Sequence, residues 1–215
     1  MSASLLVAQD PVPAPVPAPA PAPAEKTEKP TTLKVGDALP TGIALRGIDG
    51  KVVEFDKLRG KLVVLHFWST TCPYEELAEP KLNALAAGYA DKGVVMLGVA
   101  ANAGEIGDKP ADTAFDARDE KDLPYGKLRA KAKASGCNHG IVVDHGGDAL
   151  GKPLQAKTTP HCYVIDQKGV LRYAGGLDDD GHGEKGTDAK PFLKNAIDDV
   201  LAGNEVAKPT TKPYG

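Results

Sequence analysis

Three cysteines, one tryptophan, four phenylalanines and six tyrosines are few for 215 residues. Three thiols cannot build the disulfide-dense framework of a small secreted scaffold, and an odd number leaves at least one unpaired within a single chain. Charge of one sign is missing as well. The chain sets 26 Lys and Arg against 29 Asp and Glu, a formal net charge of -3, too even to argue for a nucleic-acid partner. No apolar run approaches the ~20 residues of a membrane-spanning helix. Ser2 to Ala8 is briefly apolar, but no Lys or Arg precedes it and it is too short for a full signal h-region. Two readings of it stay open, the remnant of a signal region and a frayed end.

Proline and glycine, by contrast, are plentiful, with 18 and 24 copies. Pro11 to Ala24 is an almost strict Pro-Ala alternation, which predicts an extended, semi-rigid spacer. Residues 1–34 therefore read as a tether, residues 35–207 as one folded domain and residues 208–215 as a polar tail. With 41% apolar residues the domain has enough material for a core. Ile43–Leu45 and Val52–Phe55 flank a Gly-Ile-Asp-Gly turn and predict an N-terminal β-hairpin. Asp56 is placed to cap a single helical turn after it.

The chain is organised around Lys61 to Pro80. Leu62 to Phe67 is an apolar, β-branched run that reads as a buried strand. Cys72 follows with Pro73 behind it, and proline suits the first position of a helix, so Cys72 falls at the N-cap. Backbone N–H groups converge there and the helix dipole favours a thiolate, the reactive form of cysteine. Ala78, Leu82, Leu85 and Tyr89 then share one helical face, with Pro80 expected to kink the helix. Val94 to Ala100 is a second buried strand, parallel to the first. Two solvated helices are expected over Asp112–Asp122 and Lys127–Lys133, a strand at Ile141–Val143 and a helix over Asp148–Ala156. A hairpin of Cys162–Asp166 with Val170–Tyr173 follows, then a helix capped by Thr187 or Asp188 that runs to Leu201.

Phe67, Trp68, Thr70, Cys72, Pro73 and Pro80 match the F-W-x-T-W-C-P-P-C-x-x-x-x-x-P pattern of exported thiol-disulfide redoxins, which the chain resembles. Thr71 replaces that pattern's second tryptophan, and Glu75 replaces the second cysteine of C-x-x-C. Ser69 to Glu75 also resembles the T-x-x-C-P-x-E of peroxiredoxins, although Leu65 stands in place of their proline. The resemblance implies an α/β thioredoxin fold: a mixed central sheet flanked by helices, extended by the N-terminal hairpin. It further implies a cis-proline at Pro160, after Thr159, facing the reactive cysteine, with room for an extended substrate beside it. Pro160 also occupies the place of the peroxidatic arginine, which argues against efficient peroxidase chemistry.

On this reading the catalytic set is Cys72, Thr70, Glu75, Pro160 and His161, with His161 beside the thiol as partner or proton shuttle. Trp68, Pro73, Tyr74 and Thr159 form the substrate-binding surface. Glu75 and Glu76 in the first helical turn oppose a second anion, so Cys72 is expected to be less acidic than a C-x-x-C nucleophile. Cys162 and Cys137 are the resolving thiols available within the chain, although each reads more naturally as a buried or incidental cysteine. His66 reads as a core residue, His139 and His145 lack ligand spacing, and Asp178 to His182 reads as a solvated loop. No metal and no cofactor are expected. Two functions are carried forward. One is a single-cysteine redoxin in thiol-disulfide exchange or peroxide reduction, resolved by an external protein or small-molecule thiol. The other is a non-catalytic module that binds a peptide or a metal-delivery partner in the groove beside Pro160. Export to the periplasm is expected, with the cytoplasm as the alternative, and the oligomeric state is open.

Overall fold

The computed structural model describes residues 32–117 and 119–215; most of the expected tether lies outside them. Seven strands form one mixed sheet in the order β2-β1-β5-β4-β3-β6-β7. The hairpin is β1 (Ala44–Gly47) and β2 (Val52–Glu54), paired antiparallel. At the centre lie β3 (Leu62–Trp68) and β4 (Val94–Ala100), parallel to one another, and β4 is parallel in turn to β5 (Gly140–Val143). On the other flank β6 (Cys162–Ile165) is antiparallel to both β3 and β7 (Leu171–Gly175). The helices are α1 (Pro73–Tyr89), α2 (Ala103–Ile106), α3 (Gly126–Ala134) and α4 (Phe192–Leu201). None is long and apolar enough to cross a membrane.

Every residue of β3 is buried, because both of its faces are covered. The two-residue period of a strand divides it. Val63, Leu65 and Phe67 pack with Leu97, Val99 and Tyr163, while Leu62 and Val64 pack against Leu82 of α1 and Ile197 of α4. His66 falls on the same side as Leu62 and Val64, towards α1. Ile197 is fully buried in that second layer. Ile197→Ala should therefore cost about 2–5 kcal/mol, read as a lower urea midpoint with an unchanged slope.

Several expectations are corrected. Residues 148–156 form turns instead of a helix, and Asp112–Asp122 holds only short 3-10 turns. The acidic residues of that second stretch have no apolar face to seat a longer helix. Asp56 lies inside its 3-10 turn and accepts the Gly42 N–H at 2.7 Å, so it bridges loops instead of capping. Pro191, and neither Thr187 nor Asp188, precedes α4. Pro80 lies within α1, which continues through it.

The expected polar tail is docked. Thr210 bridges Ala174 of β7, and the Thr211 hydroxyl meets the Tyr173 hydroxyl at 2.6 Å. Tyr214 packs into the α1–α4 layer and donates to Asp178 at 2.9 Å. The Asp178–Asp180 loop is likewise built, not merely solvated: both carboxylates are 5% exposed and receive Lys81 at 2.7 and 3.4 Å. Satisfied buried carboxylates of this kind fix a loop in place.

Candidate functional site

Cys72 occupies the N-cap of α1 with extended backbone, and Pro73 fills the first helical position. The thiol is half-buried, and its S–H donates to the Thr159 carbonyl at 3.0 Å. Thr159 and Pro160 are joined by a cis peptide bond and lead into β6, while β3 leads into the Cys72 loop. Two neighbouring strands thus bring together residues 87 positions apart. A groove of about 630 Å³ runs beside them, bounded by Phe67, Ser69, Asn102, Thr158 and Thr159.

The loop before Cys72 is ordered by a residue that sequence reasoning missed. Glu105 of α2 accepts from the Ser69 hydroxyl (2.6 Å), the Thr70 N–H and hydroxyl (2.5 and 2.8 Å) and the Thr71 hydroxyl (2.9 Å). Ser69 Oγ in turn accepts from the N–H groups of Thr71 and Cys72, each at 3.2 Å. A carboxylate therefore reaches the Cys72 amide through one hydroxyl. Burial raises the Glu105 carboxyl, but the donors from Ser69, Thr70 and Thr71 outweigh it and hold the group below its ordinary value. The run of hydroxyls from Ser69 to Thr71 hinted at such an acceptor, but its position 35 residues beyond Thr70 had no local signal.

The remaining candidates divide. Tyr74 is half-buried, its ring 5.6 Å from that of His182 and 6.2 Å from that of Tyr214, while Pro73 is exposed. Trp68 also lines the groove but presents little surface to it. It is 1% exposed and its indole N–H donates to Glu79 at 3.1 Å. The His161 ring pairs with Tyr163 at 2.9 Å, and the thiol meets the Thr159 carbonyl in its place. Burial, with Lys157 nearby, pushes His161 down to about 4, so it is a neutral imidazole at pH 7. Cys162 is fully buried in β6, and burial pushes its thiol well up. Cys137, between α3 and β5, is pushed up to about 12, first by burial, with Glu79 beside it adding to the effect.

Glu75 corrects the expectation most sharply. It is 1% exposed, and burial pushes its carboxyl well above the ordinary range, so it does not add an anion beside Cys72. Its Oε1 lies 3.1 Å from Nδ1 of His66, itself fully buried and pushed down to about 4 by burial against the opposing charge of Glu79. Both groups are driven neutral, and neither atom has a hydrogen-bonding partner in good alignment. The approach is therefore not an ion pair.

The model of the AhpC/TSA family matches residues 35–174, most of the sheet and the whole Cys72 region. The chain belongs to the AhpC/TSA family. Thiol-disulfide oxidoreductase ResA of Bacillus thuringiensis subsp. konkukian is 29% identical over 66% of this chain and 70% of its own length. Thiol-disulfide oxidoreductase YkuV of Bacillus subtilis is 27% identical over 74% and 89%. Among solved structures, a putative thiol:disulfide interchange protein DsbE from Chlorobium tepidum superposes with a TM-score of 0.58 at 21% identity, covering 79% of this chain and 99% of that one. An uncharacterized conserved protein from Geobacillus kaustophilus reaches 0.66 at 23%, covering 84% and 88%. The protein is thus a thioredoxin-like redoxin, with the mixed sheet and flanking helices of that fold.

Proposed function

We propose that this redoxin is a thiol-dependent oxidoreductase whose single reactive group is Cys72. The observation that carries the reading is the thiol at the α1 N-terminus, 3.0 Å from the Thr159 carbonyl at the edge of an open groove. The Cys72 thiolate attacks one sulfur of a substrate disulfide, the S–S bond breaks and the other sulfur leaves as a thiolate. The product is a mixed disulfide on Cys72. With Glu75 at the second position, resolution falls to external thiols. A first attacks the mixed disulfide and frees Cys72, leaving its own sulfur joined to the substrate sulfur. A second releases the substrate thiol, the two together supplying the two electrons and ending as an external disulfide. A peroxide would instead yield a sulfenic acid, reduced in turn by two external thiols with release of water. Pro160 and Thr159 present the backbone along which an extended partner lies, with Pro73 and Tyr74, next to Cys72 in the chain, as further contacts. Thr70, bound to Glu105, shapes the loop that carries the nucleophile. Action outside the cytoplasm fits the chemistry, since substrate disulfides persist in oxidising compartments.

The test uses the reduced full chain and oxidised glutathione, followed by peptide mass spectrometry. One glutathione adduct on Cys72, formed first and removed by excess thiol, is the expected result. Cys137 and Cys162 should stay unmodified until the protein is unfolded. An inert Cys72 would overturn the oxidoreductase and leave the fold as a binding module for a peptide or a metal-delivery partner. A companion variant, Glu75→Cys, should convert the cycle to an internal one. Oxidation would then join Cys72 to the introduced thiol with loss of two hydrogens, and glutathione adducts would become transient.

A further inference from the structure

Behind the Cys72 helix lies a second cluster that the thiol chemistry does not use. Glu79 of α1, and Cys137 and His139 from the segment between α3 and β5, each bring one ligand atom to within 4.8 Å of the other two. His66 of β3 adjoins the group, its Nε2 hydrogen-bonded to Nε2 of His139 at 2.7 Å. We infer that Glu79, Cys137 and His139 form a three-donor binding site for a zinc-like divalent cation.

Three observations carry this. First, the donor set is one thiol, one imidazole and one carboxylate, the mixture that a borderline-soft, tetrahedral cation takes, with its fourth position left to a solvent ligand. Second, the spacing fits. Sγ of Cys137 lies 3.6 Å from Nε2 and 3.7 Å from Nδ1 of His139. S and N ligands on one tetrahedral zinc are about 3.6 Å apart, given bonds of ~2.3 and ~2.0 Å, so the separation is met once the half-buried ring turns to aim one nitrogen at the cation. Third, the cluster has unmet polar demand. Glu79 is 3% exposed and its Oε1 has no partner, while Oε2 is held by the Trp68 indole N–H. A buried carboxylate oxygen left unpaired is costly, and a cation removes that cost.

The ligands are also held from behind. Asn138, between Cys137 and His139, donates its backbone N–H and its side-chain amide to Asn83 of α1, both at 3.0 Å. That clamps the ligand-bearing loop to the helix that carries Glu79, as an outer shell should. Binding replaces the Cys137 S–H proton with the metal and releases it to solvent, without any change of oxidation state. The cation would staple α1, the Cys72 helix, to the α3–β5 loop. The site is separate from Cys72, so the failure of either proposal leaves the other standing.

The test starts from the full chain stripped by a chelator, titrated with cobalt(II) as a spectroscopic stand-in and then with zinc against a chromophoric chelator. One equivalent of cobalt should bind with tetrahedral visible bands and a thiolate-to-cobalt charge-transfer band. Cys72→Ser should keep that band and Cys137→Ser should lose it. Zinc affinity should fall at least 100-fold in Cys137→Ser and in His139→Gln, each first checked for native circular dichroism. In the unsubstituted protein, zinc should slow alkylation of Cys137 at least tenfold. The absence of stoichiometric binding would overturn the site. So would binding that survives both substitutions, or binding that disappears with Cys72.

Discussion

Cys72→Ser is expected to lower disulfide exchange by roughly 10³-fold or more, to the rate of the bulk thiols, because the reaction passes through a covalent bond to that sulfur. The serine hydroxyl, un-ionised at neutral pH, is not a nucleophile towards a disulfide, so nothing above the bulk-thiol rate should remain. Folding should be nearly unchanged. The Cys72 side chain makes no cap hydrogen bond, and the substitution disturbs a single S–H hydrogen bond to the Thr159 carbonyl. The check is a turnover assay with a small disulfide and an external thiol, run beside a urea titration. If Cys137→Ser instead removed the activity while Cys72→Ser kept it, the nucleophile would have to be reassigned. The same titration should find Cys162 protected up to global unfolding, since it is 0% exposed in the central sheet.

The second large effect belongs to Glu105. Glu105→Ala removes the acceptor for the Ser69, Thr70 and Thr71 donors, and with it the hydroxyl orientation that holds the Cys72 amide. Hydrogen bonds to a charged group are worth about 1.5–3 kcal/mol each, but this carboxylate is partly solvated and the bonds are coupled. A net loss of about 1–3 kcal/mol is expected. Exchange should slow by about 10–100-fold, because a loop displaced by ~1 Å takes the nucleophile off its line of attack. Glu105 is a positioning residue, and its pH behaviour separates that role from a passive one. Its folded carboxyl is held below the ordinary 4.5, so the stability it contributes is complete above that value. That stability is lost as pH falls through the lowered folded value. Wild type should show this acid limb in its unfolding free energy, and Glu105→Gln should lack it while recovering part of the exchange rate. A variant with wild-type kinetics and an unaltered acid limb would remove Glu105 from the mechanism.

What was legible in advance was local. Leu62 to Trp68 announces a strand by its unbroken apolar run, and Pro73 fixes the first turn of a helix, so Cys72 could be placed at the N-cap from neighbours alone. The order of elements along the chain, with parallel β3 and β4 joined by α1, was set by the same periodicities. The hairpin was legible too, since Gly47 to Gly50 forces a reversal between two short apolar runs. The matched pattern from Phe67 to Pro80 added Pro160, whose partner across the sheet no local rule names.

What remained hidden was every feature made by residues distant in the chain. The spacing of Glu75 marks it as a first-turn carboxylate, and only packing of α1 over β3 turns it into a buried, neutral group beside His66. Glu105 lies 36 residues from Ser69, and Cys137 lies 58 beyond Glu79, so neither pairing leaves a trace in a window of 11–18 residues. The docked 208–215 segment looked polar because its holding contacts, Thr211 to Tyr173 and Tyr214 to Asp178, are themselves polar and long-range. Backbone propensity and hydrophobic period, which act over one or two turns, determined from the sequence alone where Cys72 stands. Which carboxylates are ionised, which thiols are reachable and which donors converge depend on desolvation and on contacts closed across the sheet. Only the tertiary structure decides those.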